Sequence, residues 1–181
     1  MKADIKNTFE KIYENEADAI FRFCLIRVSD REQAMDITEE TFLRLWQNLL
    51  SGKEILNTRA FLFTITRNLI IDWYRKKKSI PFFKMNDAIF NEGEMGYDPS
   101  DEMSTSLLET KAEGRYLLEK ISELTPSYRQ PVYLRYVEDL SPVEIGEILG
   151  ISANAASVRI NRGLLELKKK AGYNDDINQN E

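Results

Sequence analysis

The chain has 181 residues, 43% hydrophobic and 30% charged, with a formal net charge of −5, a balance typical of a globular protein of one domain or two small ones. It has no histidine and a single cysteine, Cys24, which excludes histidine-based triads, a cysteine cluster for zinc and an intramolecular disulfide. No apolar run approaches the ~20 residues that cross a bilayer, and Met1-Lys2-Ala3-Asp4-Ile5-Lys6 lacks an apolar h-region, so a cytoplasmic chain without membrane insertion is expected.

From the N-terminus, Ile5, Phe9, Ile12 and Tyr13, then Ala19, Ile20, Phe23 and Ile26, recur at helical spacing. A break at Ser29-Asp30 follows, where Ser29 with Glu32 fits a capping box for the next helix. That helix carries Ala34, Ile37, Thr41, Phe42, Leu45, Trp46 and Leu49 as one stripe and ends at Ser51-Gly52-Lys53. Asn57 or Thr58 can cap a third helix, from Arg59 to about Lys78, with the stripe Leu62, Ile65, Leu69 and Trp73. Short polar turns between these helices predict a helical bundle.

Residues 79–109 hold Pro81, Gly93, Gly96 and Pro99 without periodicity, and predict a flexible linker between two domains. The charge is divided accordingly: +2 over residues 1–78, −5 over 79–112, +1 over 113–172 and −3 over the tail 173–181. Helical periodicity returns with Leu117, Leu118, Ile121 and Leu124, and Thr125-Pro126 looks like an N-cap before a proline-started helix. Ser141-Pro142-Val143-Glu144 fits a capping box, Gly150 a stop, and Ser152 the cap of a last helix from Ala153 to about Lys170. The predicted fold is all-α, with an N-terminal bundle at 1–78, an acidic linker at 79–109, a helix-turn-helix domain at 110–172 and an acidic tail at 173–181.

Three constellations carry chemistry. Leu140 to Gly163 lays out a short capped helix, a glycine turn and a longer helix, the arrangement in which the second helix enters the major groove. Ala156, Ile160, Leu164 and Leu167 form its packing face, leaving Asn154, Ser157, Val158, Asn161 and Arg162 outside with Arg159 at the edge. Arginine and asparagine can bond base edges in pairs, and Lys168-Lys169-Lys170 suits phosphates or the helix C-terminus. A plain helical hairpin with a solvated face has the same pattern.

The second constellation, Arg59 to Lys78, interleaves six cations with Phe61, Phe63, Trp73 and Tyr74, a composition suited to phosphates and unpaired bases. Phe61 and Trp73 lie on or beside the apolar stripe and are expected in the core, while Arg67, Asn68, Tyr74 and Arg75 stay open to either role. The third places Asp36, Glu39, Glu40 and Arg44 on one helix face, away from Phe42 and Trp46. That face is either solvated or a docking surface for a protein.

Asp36-Ile-Thr-Glu-Glu-Thr-Phe-Leu-Arg-Leu-Trp, Ala60-Phe-Leu-Phe-Thr-Ile-Thr-Arg-Asn-Leu-Ile-Ile-Asp-Trp-Tyr-Arg and Leu140-Ser-Pro-Val-Glu-Ile-Gly-Glu-Ile-Leu-Gly-Ile-Ser, in this order, resemble the extracytoplasmic-function (ECF) group of bacterial sigma factors. The resemblance covers roughly residues 5–78 and 110–171. It implies a transcription initiation factor, not an enzyme and without a cofactor, whose partners are bacterial core RNA polymerase, promoter DNA and an anti-sigma factor. Asp36, Glu39, Glu40 and Arg44 would then dock on the polymerase β′ clamp helices, with the β flap as a further contact. Arg67, Asn68, Tyr74 and Arg75, beside a base-capturing loop at 48–57, would serve the −10 element, which demands base flipping. Asn154, Ser157, Val158, Arg159, Asn161 and Arg162 would read the −35 element. Glu39 replaces a glutamine frequent in the group, and Ser157 and Val158 replace a frequent basic residue and serine. A stand-alone helix-turn-helix regulator is the alternative, but it gives the basic, aromatic helix no role. An enzyme has no phosphate loop or nucleophile–base pair to rest on.

Overall fold

Why the chain turns where it does is visible at each helix end. The computed structural model describes residues 2–78 and 112–172, which hold seven helices and no strand. The predicted linker at 79–109 and tail at 173–181 lie outside the described residues. The first group is α1 (Lys2–Val28), α2 (Arg31–Leu50) and α3 (Thr58–Lys78). The second is α4 (Ala112–Ser122), α5 (Pro126–Tyr136), α6 (Pro142–Leu149) and α7 (Ala153–Lys170). Among the described residues no helix is long and apolar enough to cross a membrane.

α1 is continuous over 27 residues, and Ser29, with φ at 49°, turns the chain into α2. The expected Ser29–Glu32 capping box is not formed. A cap needs extended backbone, and Asp30 supplies it, at φ −143° and ψ 118°, with its carboxylate accepting from the Gln33 N–H at 3.1 Å. Asn57 caps α3 as expected, its side-chain oxygen accepting from the Ala60 N–H at 2.9 Å. Inside this group Thr41 of α2 and Thr66 of α3 meet hydroxyl to hydroxyl at 3.1 Å, and Cys24 is fully buried. Burial pushes the Cys24 thiol up to about 12, so it is a core residue, as its place beside the stripe predicted.

In the second group the Ser141–Glu144 capping box is complete, Gly150 takes the left-handed conformation at φ 67°, and Ser152 caps α7. Thr125 occupies the N-cap position of α5 but its side chain makes no cap bond. Instead its N–H donates to the Glu166 carboxylate of α7 at 2.9 Å. Two glycines permit close approach: a Cβ on Gly146 would stand 2.8 Å from the Ile151 carbonyl oxygen, and one on Gly163 would run into Val132 and stand 3.0 Å from the Tyr128 Cβ. Larger residues would prise α6 from the turn and α7 from α5.

The two groups also share a core. Phe23 of α1, Phe63 of α3 and Tyr133 of α5 have no exposed surface, with ring centroids 5.0 Å apart for Phe23–Phe63 and 5.9 Å for Phe23–Tyr133. α6 lies against α3. Sequence patterns alone call for two tethered blocks, and nothing in them announces this contact.

Candidate nucleic-acid interface

α7 turns Ala156, Ile160 and Gly163 into the core, with Leu164 and Leu167 half-buried beside them, on the face that periodicity predicted. Its other side leaves Asn154, Val158, Asn161 and Arg162 exposed and Ser157 and Arg159 half-buried. Asn154, Ser157, Val158, Asn161 and Arg162 therefore share the outer side, with Arg159 half-buried at its edge. Ser157 spends its hydroxyl on the Ala153 carbonyl at 3.0 Å, which leaves a methylene and its acceptor lone pairs outward. The remainder can bond guanine and adenine edges through Arg159, Arg162, Asn154 and Asn161, while Val158 offers methyls to a thymine methyl. Lys168, Lys169 and Lys170 are exposed in the last turn, within reach of phosphates at the far end of such a helix.

α3 is built differently. Its most buried positions are Ala60, Leu62, Phe63, Thr66, Ile70 and Tyr74, while the predicted stripe members Ile65, Leu69 and Trp73 are half-buried at the margin. The buried face is thus turned by about one residue, or ~100°, from the face that apolar residues alone mark. The reason is that Thr66 and Tyr74, polar by type, are satisfied inside. Tyr74 is 6% exposed and its hydroxyl donates to the Arg27 carbonyl of α1. Of the two roles the sequence left open for it, the structure places its side chain in the core. Phe61 and Trp73 pack at the core edge as expected, with Lys53 5.7 Å from the Phe61 centroid and Lys77 4.7 Å from that of Trp73.

Of the remaining −10 candidates, Asn68 is exposed and Arg75 half-exposed, its guanidinium 3.5 Å from the Asp72 carboxylate one turn away. Arg67 is half-buried, and desolvation lowers its pKa. Of the expected 48–57 loop, 48–50 are still the last turn of α2, so the loop proper runs from Ser51 to Asn57, whose amide also donates to Glu144 Oε1 of α6 at 2.8 Å, and it holds Leu56 out at 92% exposure. Burial works to raise the Glu144 pKa, but bonds from Ser141 and Asn57 together hold it below the usual carboxylate range.

On α2, Asp36, Glu39 and Arg44 are exposed and Glu40 half-exposed, with Arg44 Nε 2.7 Å from Glu40 Oε1. Asp36, Glu40 and Arg44 form one wall of an open cleft of about 450 Å³, and Trp73, Arg75 and Lys76 of α3 line the other. Glu39 is not among the lining residues. The cleft brings three docking candidates and one −10 candidate together, with an apolar floor and charges of both signs at its rim, a surface suited to a polar protein helix.

Between the groups sits a polar cluster that sequence reasoning missed. Glu138, in the turn after α5, has a side chain only 1% exposed. It faces Arg22 Nη2 of α1 at 3.4 Å, Arg59 Nη2 of α3 at 3.3 Å and the Tyr133 hydroxyl at 2.7 Å. Arg59 also lies 3.5 Å from Glu16. Arg27, fully buried, stacks over the Phe23 ring at 3.4 Å and donates to the Phe23 carbonyl at 3.0 Å, and burial pulls it down to about 10, so it stays charged at neutral pH. Nothing in Val137-Glu138-Asp139 distinguishes Glu138 from a solvated turn acid, and only the packing of α1 and α3 over it makes it buried.

A sigma-70 region 2 family model matches residues 12–80 and a sigma-70 region 4 model matches 114–167, together more than half of the chain. The chain is 29% identical to the ECF RNA polymerase sigma factor SigW of Bacillus subtilis over 178 residues, covering 94% of this chain and 92% of that one. It is 26% identical to RNA polymerase sigma factor YlaC of the same organism, covering 91% and 92%. In fold it resembles the sigma factor RpoE crystallised with the anti-sigma factor NepR from Bartonella quintana, with a TM-score of 0.63 at 17% identity over 95% of this chain and 99% of that chain.

Proposed function

The chain belongs to the sigma-70 family, in its ECF group, and on that premise we propose how this transcription initiation factor divides the work of directing RNA polymerase to promoters. Residues 1–78 act as the region 2-like domain and 110–172 as the region 4-like domain. The outer side of α7, through Asn154, Ser157, Val158, Arg159, Asn161 and Arg162, reads the −35 element. The 48–57 loop with Asn68, Arg67 and Arg75 takes the −10 element, Tyr74 contributing by holding α3 on α1. The α2 face, Asp36, Glu39, Glu40 and Arg44, docks on the polymerase clamp helices, and the β flap meets the second domain.

The observation that carries this reading is the outward polar side of α7, presented by two satisfied caps and a left-handed glycine, in the same chain as a basic helix bordering a docking cleft with charges of both signs at its rim. The protein has no catalytic activity of its own in this account, acts where the polymerase is, in the cytoplasm, and is held by an anti-sigma factor until needed. Run-off transcription with bacterial core polymerase tests it: discrete new transcripts sharing a bipartite upstream element are expected. No transcript together with no binding to core polymerase would instead favour a stand-alone regulator.

A further inference from the structure

Among the described residues, Leu56 is the large apolar side chain that the fold leaves most fully in water. It is 92% exposed, and the next, Val143, only 58%. The other exposed apolar residues, from Tyr13 to Leu165, all stand on helices, where neighbours one turn away cover part of them. Leu56 stands on the loop between α2 and α3.

That loop is tied at both ends. The Ser51 N–H donates to the Gln47 carbonyl at 3.0 Å, and its hydroxyl to the Asn48 carbonyl at 2.8 Å. The Lys53 N–H reaches the same Asn48 carbonyl at 3.2 Å. At the other end the Asn57 side chain accepts from the Ala60 N–H at 2.9 Å. Between these anchors Ile55 packs against the core. With Ile55 turned inward and Asn57 capping α3, Leu56 takes the outward position, and the anchors on either side set its projection.

An aliphatic side chain makes no hydrogen bond to a base edge, so it reads no sequence in that way. It can instead fill apolar space between bases. Leucine is among the wedges that proteins insert between base steps, unstacking them, and a flipped base leaves such a gap behind it. Lys53, exposed on the same loop and 5.7 Å from the Phe61 centroid, supplies a cation for the adjoining phosphate. No residue of 51–57 lines the cleft between α2 and α3, so the loop stands apart from the surface assigned to the polymerase.

We propose that Leu56 is the strand-separating side chain of the −10 loop. As a base flips out, the leucine enters the stack in its place and keeps the strands from closing. It governs how readily a promoter opens, and leaves the choice of −10 sequence to the polar residues around it. This role rests on the promoter-reading function above.

The test uses the full chain with bacterial core polymerase on a promoter that yields a run-off transcript. Opening is read by permanganate attack on unpaired thymines. Leu56→Ala should lower the open fraction about tenfold, and Leu56→Met, which keeps an apolar wedge, should restore most of it. On the same promoter with a mismatched bubble across the −10 element, Leu56→Ala should match the native chain, because no strand separation is left to perform. Its melting temperature and its affinity for core polymerase should not change. Normal opening by Leu56→Ala would overturn the proposal. An equal defect on duplex and bubble would overturn it too, making Leu56 a contact of the already opened strand. Weakened polymerase binding would make it a docking residue instead, and a lowered melting temperature a structural one. If the native chain opens no promoter, the promoter-reading function falls and this role with it, whereas native opening matched by Leu56→Ala sinks the role alone.

Discussion

α7 and α3 are the two helices assigned to DNA, and they solve opposite problems. α7 buries a narrow stripe of small and aliphatic residues, Ala156, Ile160 and Gly163, and can leave its other side to solvent. α3 lies between α1, α2 and α6, so it buries a broad face that includes an aromatic hydroxyl, and its cations are drawn into local duties. Arg59 faces Glu16 and Glu138, Arg75 faces Asp72, and Lys77 lies over Trp73. A basic, aromatic composition therefore does not by itself define a nucleic-acid surface. How much of the helix is already spoken for decides it.

Several substitutions would break or sharpen this contrast. The largest effect is expected at Phe23, which touches both blocks: Phe23→Ala should cost about 3–5 kcal/mol in chemical denaturation. It should weaken α3 and α5 together. Next, Arg162→Ala should lose about 1–3 kcal/mol of discrimination at one −35 position in promoter-binding titrations while leaving the melting temperature unchanged, as an exposed reader of sequence must. Tyr74→Phe should do the reverse. It removes the bond to the Arg27 carbonyl and should lower stability by about 1 kcal/mol, with promoter specificity unaltered; a specificity change without destabilisation would return Tyr74 to the DNA surface.

Arg75→Ala should weaken promoter binding evenly across sequences, and the slope of log affinity against log salt should fall by about one. The smallest effect concerns pH. Because Glu144 has a lowered pKa in the folded chain, its stabilisation is present above the ordinary value of 4.5 and is lost as pH falls through the folded value. The stability difference between the native chain and Glu144→Gln should therefore shrink on acidification below pH 4.5, read by urea midpoints.

The sequence alone determined the all-α class, the helix succession, Asn57, Ser141 and Ser152 as caps, Gly150 as a left-handed stop, and the outward side of α7. These follow from the chain's own neighbours: helical period, capping side chains and a glycine act over three or four residues, so a local pattern contains them. Local patterns also erred where two residues compete, as at Ser29 and Asp30, where backbone conformation chose the cap. Tertiary structure decided the rest. It turned the core face of α3 toward Thr66 and Tyr74, joined Asp36, Glu40 and Arg44 to Arg75 across one cleft, and buried Glu138 and Arg27 between blocks far apart in the chain. Whether a polar side chain is core or surface depends on the partner that satisfies it, and here that partner lies tens of residues away, where no period of the sequence can point to it.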